Sequence, residues 1–282
     1  MFNNRSSWIK SLKYHIPVMI LAIIMLYPLI WMVASSLKEN TKILTDAANL
    51  IPETLQWQNY VTGWAGFGGN TFAVFFKNSF VIAVLATIGA VSSSAVVAYG
   101  FARIDFKFKG FWFMVLMATM MLPEQVLLIP QYLMFKQFGW INTILPLVVP
   151  YFCAVPFFVF LNMQFLRGLP FELDEAATID GCGKLQVYFH ILLPLTSPAL
   201  ITSCIFSFCW RWQEFLNPMI YLSSPENYTF AIAIKMFSDP AVQSDWGALF
   251  AMSTLSLIPV ALIFIFFQKY LVEGVATTGI KG

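Results

Sequence analysis

The sequence predicts an all-α integral membrane protein with six transmembrane helices. Three observations carry that prediction. Of 282 residues, 59% are hydrophobic and 11% charged, against roughly 45–50% and about 25% in soluble domains. Six long stretches are free or nearly free of charge, and each reaches the ~20 residues a helix needs to cross a bilayer. None alternates apolar and polar residues as the strands of a membrane barrel do. A soluble enzyme and a disordered chain are excluded. A nucleic-acid binder is disfavoured, because the formal net charge is +2 and no basic patch stands out.

The spans follow in order. Tyr14 to Leu37 contains the first and Asn78 to Ala102 the second. Gly110 to Phe135 is interrupted by Glu124 alone, and Gln137 to Leu166 carries no charge. Leu185 to Trp210 is charge-free, with its apolar part starting near Leu195, and Trp246 to Gln268 is the last. The first stretch has the basic start of a signal peptide (Arg5, Lys10, Lys13) and the small residues Ala34 and Ser36. Its apolar part is longer than the ~7–15 residues of a signal core, so a retained helix is expected. The chain then divides into an N-terminal tail 1–14, a first helix 15–37, an external segment 38–71, a five-helix core 72–271 and a C-terminal tail 272–282.

Orientation is read from Lys and Arg. With the N-terminus inside, the inner segments carry Arg5, Lys10, Lys13, Arg103, Lys107, Lys109, Arg167, Lys184, Lys269 and Lys281. The outer segments carry Lys38, Lys42, Lys77, Lys136 and Lys235, and Arg211 lies within a span. Both termini are therefore expected to be cytoplasmic. Cys153, Cys182, Cys204 and Cys209 show no paired spacing, so neither a disulfide framework nor a zinc site is expected. In the second span Ala86, Ala90, Ser94 and Ala98 recur every four residues. Such a face lets helices approach closely in lipid, either within this chain or against another subunit.

The most specific text is the inner loop 167–194. Glu172, Asp174, Glu175 and Asp180 face Arg167 and Lys184 in number, an acidic balance on a side where basic residues prevail. That suits a basic protein partner better than anionic lipid. Pro170 leads into a helix whose first turns hold Glu172, Asp174 and Glu175, which complement its dipole. Asp180-Gly181 is a turn with Gly181 as helix stop. Lys184 to His190 starts a second short helix, and Pro194 and Pro198 break the way into the fifth span. The spacing predicts a helix–turn–helix along the membrane face.

Glu175-Ala176-Ala177, then three residues, Gly181, nine residues, Ile191, one residue and Leu193-Pro194 resembles the EAA motif of ABC-transporter permeases at every fixed position. Met121-Leu122-Pro123, Ile129-Pro130 and Gly139-Trp140-Ile141-Asn142-Thr143 look like the third and fourth helices of carbohydrate permeases. Trp212-Gln213-Glu214-Phe215-Leu216-Asn217-Pro218 resembles their fifth-helix motif. Tyr270 to Gly274 and Gly279 to Gly282 are similar to the tail of the smaller, maltose-type permeases.

The resemblance implies a type I ABC importer permease fold in a bacterial cytoplasmic (inner) membrane. The chain would form half of a sugar or oligosaccharide pathway. Its partners would be a second, different permease, two cytoplasmic ATPases, an extracytoplasmic solute-binding protein and membrane lipid. Glu175, Ala176, Ala177, Asp180, Gly181, Ile191, Leu193 and Pro194 would couple to the ATPase, with Glu175 meeting a basic residue and Ala176 and Ala177 permitting close contact. No cofactor is expected in this chain, since ATP and magnesium would sit on the partner. The nearest approach to an ATP-binding loop, Gly181-Cys182-Gly183-Lys184, has Thr178 and Leu185 where a glycine and a hydroxyl residue are required.

Ionisable groups at membrane depth usually face a cavity or a partner. Glu124, with Gln125 and Gln131, lies in the third span, and Arg211 and Glu214 lie at i, i+3 in the fifth. Trp210, Trp212, Gln213 and Asn217 share that region. Two readings stand: a pathway that stacks sugar rings and binds their hydroxyls, or a structural Arg211–Glu214 pair beside an aromatic belt. On the pathway reading, Glu124→Gln and Trp212→Ala impair uptake without loss of assembly. A permease for another solute, such as glycerol phosphate, would favour basic pathway residues. A self-sufficient secondary carrier would show internal repeats, and none is seen.

Overall fold

The computed structural model describes residues 4–238 and 244–276, with side chains for 13–238 and 244–270. The C-terminal residues 277–282, and most side chains of the tails at 1–14 and 272–282, lie outside the described residues. Apart from short 3-10 and π turns and one isolated bridge, the described regular structure is α-helical. Four helices are long and apolar enough to span a bilayer: Lys13–Ser35, Phe72–Arg103, Leu145–Gly168 and Trp246–Tyr270. Two bent pairs raise the number to six when each is taken as one span.

The bend in the third span departs from the continuous helix that the sequence suggests, whereas the bend before the fifth falls where Pro194 and Pro198 predict a break. The third span is two helices, Lys109–Thr119 and Glu124–Gln137, meeting at 93°. Pro123 breaks it: it is extended (ψ 130) and has no N–H to continue the ladder. The fifth span begins at Ser197, and the preceding Lys184–Leu195 segment lies at 73° to it. Ser197–Trp212 then stops at Gln213, and Leu216–Tyr221 resumes beyond a short interruption. Irregular backbone at membrane depth is tolerated where it is buried in protein or lines a cavity.

The chain forms two compact units. The first, 1–72 with 233–258, holds the long helix Asn4–Ser35 and the short helix Gln58–Ala65. Asn59 Nδ2 donates to the carbonyls of Ser36 (2.9 Å) and Lys38 (2.8 Å), and Asn40 Oδ1 accepts from the Trp246 amide (2.9 Å). Gly63 permits a close crossing, since a Cβ there would lie 2.8 Å from Met252 Cγ. Lys42 and Glu53 form an exposed ion pair at 2.5 Å.

The second unit, 73–232 with 259–282, is built around the Phe72–Arg103 helix. Ala86, Ala90, Ser94 and Ala98 are all buried within this chain, which resolves the small-residue face in favour of an internal contact. Opposite it the fourth span unwinds at Ala154 (φ 60). The freed amides of Ala154 and Val155 donate to Ser93 Oγ (2.9 Å) and Ser94 Oγ (2.8 Å). Asn162, 1% exposed, donates to Ser203 Oγ at 3.0 Å, tying the fourth and fifth spans. Asn142, at φ 63, is a second tie: its Oδ1 accepts from the amides of Ser223 and Ser224, both at 3.0 Å.

Candidate functional site

Two regions of the second unit carry the sequence-derived candidates. The first is the 167–194 loop. Glu172–Ile179 is a helix with Glu172, Asp174 and Glu175 in its first turn, where the dipole favours negative charge. Gly181 ends it at φ 84, a conformation that glycine adopts without strain. Lys184–Val187 follows, capped by Gln186, whose side chain accepts from the Gly183 amide at 2.8 Å. The helix–turn–helix expected from the spacing is present.

The loop is held to the Phe72–Arg103 helix at two points. Arg103 donates to the carbonyls of Leu166 (2.9 Å) and Leu169 (2.8 Å), lies 3.4 Å from the Asp174 carboxylate and covers the Phe171 ring at 5.1 Å. One helical turn earlier, the Tyr99 hydroxyl donates to the Lys184 carbonyl at 2.9 Å, and its ring packs on Tyr188 with centroids 4.7 Å apart. The Arg103–Asp174 side chains are buried, at 4% and 15% exposed. The sequence reading counted both residues as charges and missed them as a pair, because partners 71 positions apart leave no local pattern.

The candidate coupling residues divide by exposure. Glu175, Ala176, Asp180, Gly181 and Pro194 are exposed. Ala177 is 4% exposed and lies in the core cluster with Tyr99, Val187 and Leu192, and Ile191 and Leu193 pack against that cluster. Ala177 therefore has a different role from the one the resemblance gives it: it seats the helix on its own chain, and Ala176 is the small residue on the open side. Beside the exposed acids stand Ile179 at 85% and Leu185 at 70% exposed, an acidic and apolar face with nothing covering it among the described residues.

The second region is a cavity of about 330 Å³ lined by Glu124, Gln125, Leu128, Trp210, Arg211, Gln213, Glu214, Phe215, Leu216 and Asn217. It lies at the Pro123 break of the third span and at the 213–215 interruption of the fifth, where irregular backbone at membrane depth lines a cavity. Arg211 donates to both the Glu214 carboxylate and the Tyr151 hydroxyl, and Asn217 donates to Glu214. Arg211 also lies over the Tyr151 ring at 4.4 Å. Glu124 is exposed at the start of its helix. A smaller adjoining cavity of about 110 Å³ includes Gln131 with Glu124, Tyr151 and Asn217.

Seven of the eight candidate residues thus meet at these cavities, and Trp212 does not. It is 2% exposed and packs on Phe208 (5.6 Å), Phe76 (5.1 Å) and Phe230 (4.7 Å between centroids). Trp212 is a core residue, a correction to its place among the pathway candidates. Helical spacing separates the two tryptophans: Trp212 continues the buried face of Ile205 and Phe208 at i+7 and i+4, and Trp210 lies off that face. That signal was present in the sequence. Trp210, 44% exposed, packs on Phe158 and Phe157, each at 5.4 Å, and on Phe206 at 6.0 Å between centroids.

A multi-pass helical chain with an exposed acidic loop beside its broken spans is a subunit of a membrane transporter. Residues 87–277 match the family model described as the binding-protein-dependent transport system inner membrane component, and the chain belongs to that family. It is 35% identical over 257 residues to the "Probable ABC transporter permease protein YurM" of Bacillus subtilis (strain 168), covering 91% of this chain and 84% of that one. It is 30% identical over 279 residues to the trehalose/maltose transport system permease protein MalG of Thermococcus litoralis, covering 99% of each. A crystal structure of a bacterial ABC transporter that imports the acidic polysaccharide alginate contains a chain of the same fold, with TM-score 0.80 and 20% identity over 96% of this chain and 99% of that one. The chain is a permease subunit of an ABC importer.

Proposed function

We propose that the chain is the smaller of two different permease subunits in a bacterial inner-membrane importer of a neutral sugar or oligosaccharide, with both termini cytoplasmic. Two ATPase subunits bind and hydrolyse ATP with magnesium, and an extracytoplasmic protein delivers the solute. The observation that carries the reading is the 172–185 helix–turn–helix. It presents Glu175, Ala176, Ile179 and Leu185 outward while Arg103 and Tyr99 fix its inner side. A basic, cleft-shaped ATPase surface fits that face, with Glu175 as its ionic contact and Gly181 as the turn that lets the chain return to the membrane.

The buried attachment is what makes such a contact useful. A loop pinned at Arg103 and Tyr99 passes a pull at Glu175 into the long Phe72–Arg103 helix and its packed neighbours. The sugar reading is supported by relatives across nearly the whole length: besides the trehalose/maltose permease, an arabinooligosaccharide permease of Halalkalibacterium halodurans is 30% identical over 278 residues. It is also supported by Trp210, an aromatic face beside hydrogen-bonding side chains, which suits a sugar ring.

The test is ATP-driven uptake of labelled oligosaccharides by proteoliposomes that contain this chain, its partner permease, the ATPases and the binding protein. Uptake that requires all components supports the proposal. Uptake by this chain alone, without ATP, would replace it with a secondary carrier.

A further inference from the structure

The cavity at the two breaks holds one cation, Arg211, and that cation is already committed. Its guanidinium is paired with Glu214 and hydrogen-bonded to Tyr151, with its side chain 13% exposed. Glu214 is held in turn by Asn217. Formally the pair cancels, and what remains is the carboxylate of Glu124, for which no ion pair is found among the described residues. Glu124 is also the first residue of the 14-residue helix Glu124–Gln137. The N-terminus of such a helix attracts anions through its free amides and its dipole. Glu124 stands in that first turn, so an anion arriving at the terminus would lie beside its carboxylate. The one cation is satisfied internally, and the helix N-terminus already carries a negative charge. Beside the Arg211–Glu214–Asn217 cluster, the cavity is lined by Glu124, Gln125, Gln213 and Trp210.

We infer that this cavity admits uncharged polyhydroxylated solutes and rejects anionic ones, with Glu124 as the specificity-determining residue. This rests on reading the cavity as part of the solute path. The amides and carboxylate exchange hydrogen bonds with hydroxyl groups, and Trp210, fixed by Phe158, offers a flat apolar face. A uronate or phosphate group would bring a second negative charge beside Glu124 with no unpaired cation to offset it, in a site where the effective dielectric is well below that of water.

The assembled transporter is titrated with a neutral glucose trisaccharide and with a galacturonic acid trisaccharide. Binding is read as the fluorescence change that wild type shows and Trp210→Phe lacks. The expected result is binding of the neutral sugar with the uronate at least ~tenfold weaker at low salt. Glu124→Gln narrows that ratio, and Glu124→Lys reverses it. Glu124 is exposed, so both variants should fold, and an unchanged Tm with full retention of the partner subunits checks this. Equal or tighter uronate binding by wild type, or a ratio unchanged in both variants, overturns the inference while leaving the sugar path intact. Binding of neither sugar overturns the path reading itself, and the inference with it.

Discussion

Arg103, the last residue of the Phe72–Arg103 helix, lies 3.4 Å from the carboxylate of Asp174 in the helix that carries the EAA residues. The same guanidinium caps the carbonyls of Leu166 and Leu169. One side chain therefore ends the second span, closes the end of the fourth and seats the loop. A buried pair of this kind is weak evidence of net stability, but removing one member leaves the other uncompensated.

Arg103→Ala is accordingly expected to destabilise the second unit by ~3 kcal/mol and to loosen the 167–194 loop. Asp174→Asn should have a smaller effect, because Arg103 keeps its two carbonyl acceptors. Limited proteolysis of the detergent-solubilised chain checks this: cleavage between 169 and 184 should accelerate most in Arg103→Ala. Equal resistance in all three proteins would mean the loop is held by its apolar contacts alone.

The two tryptophans should separate by phenotype. Trp212→Ala removes a buried ring packed among three phenylalanines and should cost ~3–5 kcal/mol, seen as a lowered Tm and poor assembly. Trp210→Ala should assemble normally and weaken solute binding. Thermal unfolding and pull-down of the partner subunits distinguish these outcomes. A stable, inactive Trp212→Ala would return that residue to the pathway.

Gly181 sits at φ 84, and a Cβ built there meets no atom within 4 Å. Substitution is therefore a conformational penalty of ~1–2 kcal/mol, not a clash. Gly181→Val should weaken ATPase binding more than Gly181→Asn, since asparagine visits the left-handed region more readily. Affinity of the purified permease pair for the ATPase gives the comparison.

The Lys42–Glu53 pair should show a pH window. The hydrogen bond and charge of Lys42 lower the Glu53 pKa from 4.5, and the bond to Glu53 raises that of Lys42 from 10.5. The contact is thus complete between those two ordinary values. It is lost as pH falls through the lowered carboxylate value or rises through the raised lysine value. Both side chains are exposed, at 46% and 68%, so Glu53→Gln should leave the Tm unchanged. Titration of the Glu53 carboxyl carbon by NMR should give a midpoint below 4.5.

Much of this architecture is legible in the sequence because hydropathy is a local property. Phe72–Arg103 and Trp246–Tyr270 are read directly from their charge-free runs. The helix–turn–helix is read from Pro170, the early acids and Gly181. Pro123 and Glu124 mark the bend after Thr119, but the apolar run continues on both sides of them, and hydropathy does not report direction. The Ser93–Ala154 and Ser94–Val155 bonds, 61 positions apart, and the Arg103–Asp174 pair depend on tertiary approach. Exposure also divided what the motif unites. Ala176 and Ala177 are adjacent in sequence, yet one helical step turns Ala177 into the core.

The most direct test of the account is solute-stimulated ATP hydrolysis by the complete reconstituted transporter, comparing wild type with Glu175→Lys, and with subunit retention measured on the same samples. Glu175 is exposed, so the variant should fold. The account predicts lost stimulation, or loss of the ATPase from the complex, in Glu175→Lys. Full stimulation with every subunit retained would contradict the assignment of the 167–194 loop as the surface through which ATP drives this permease.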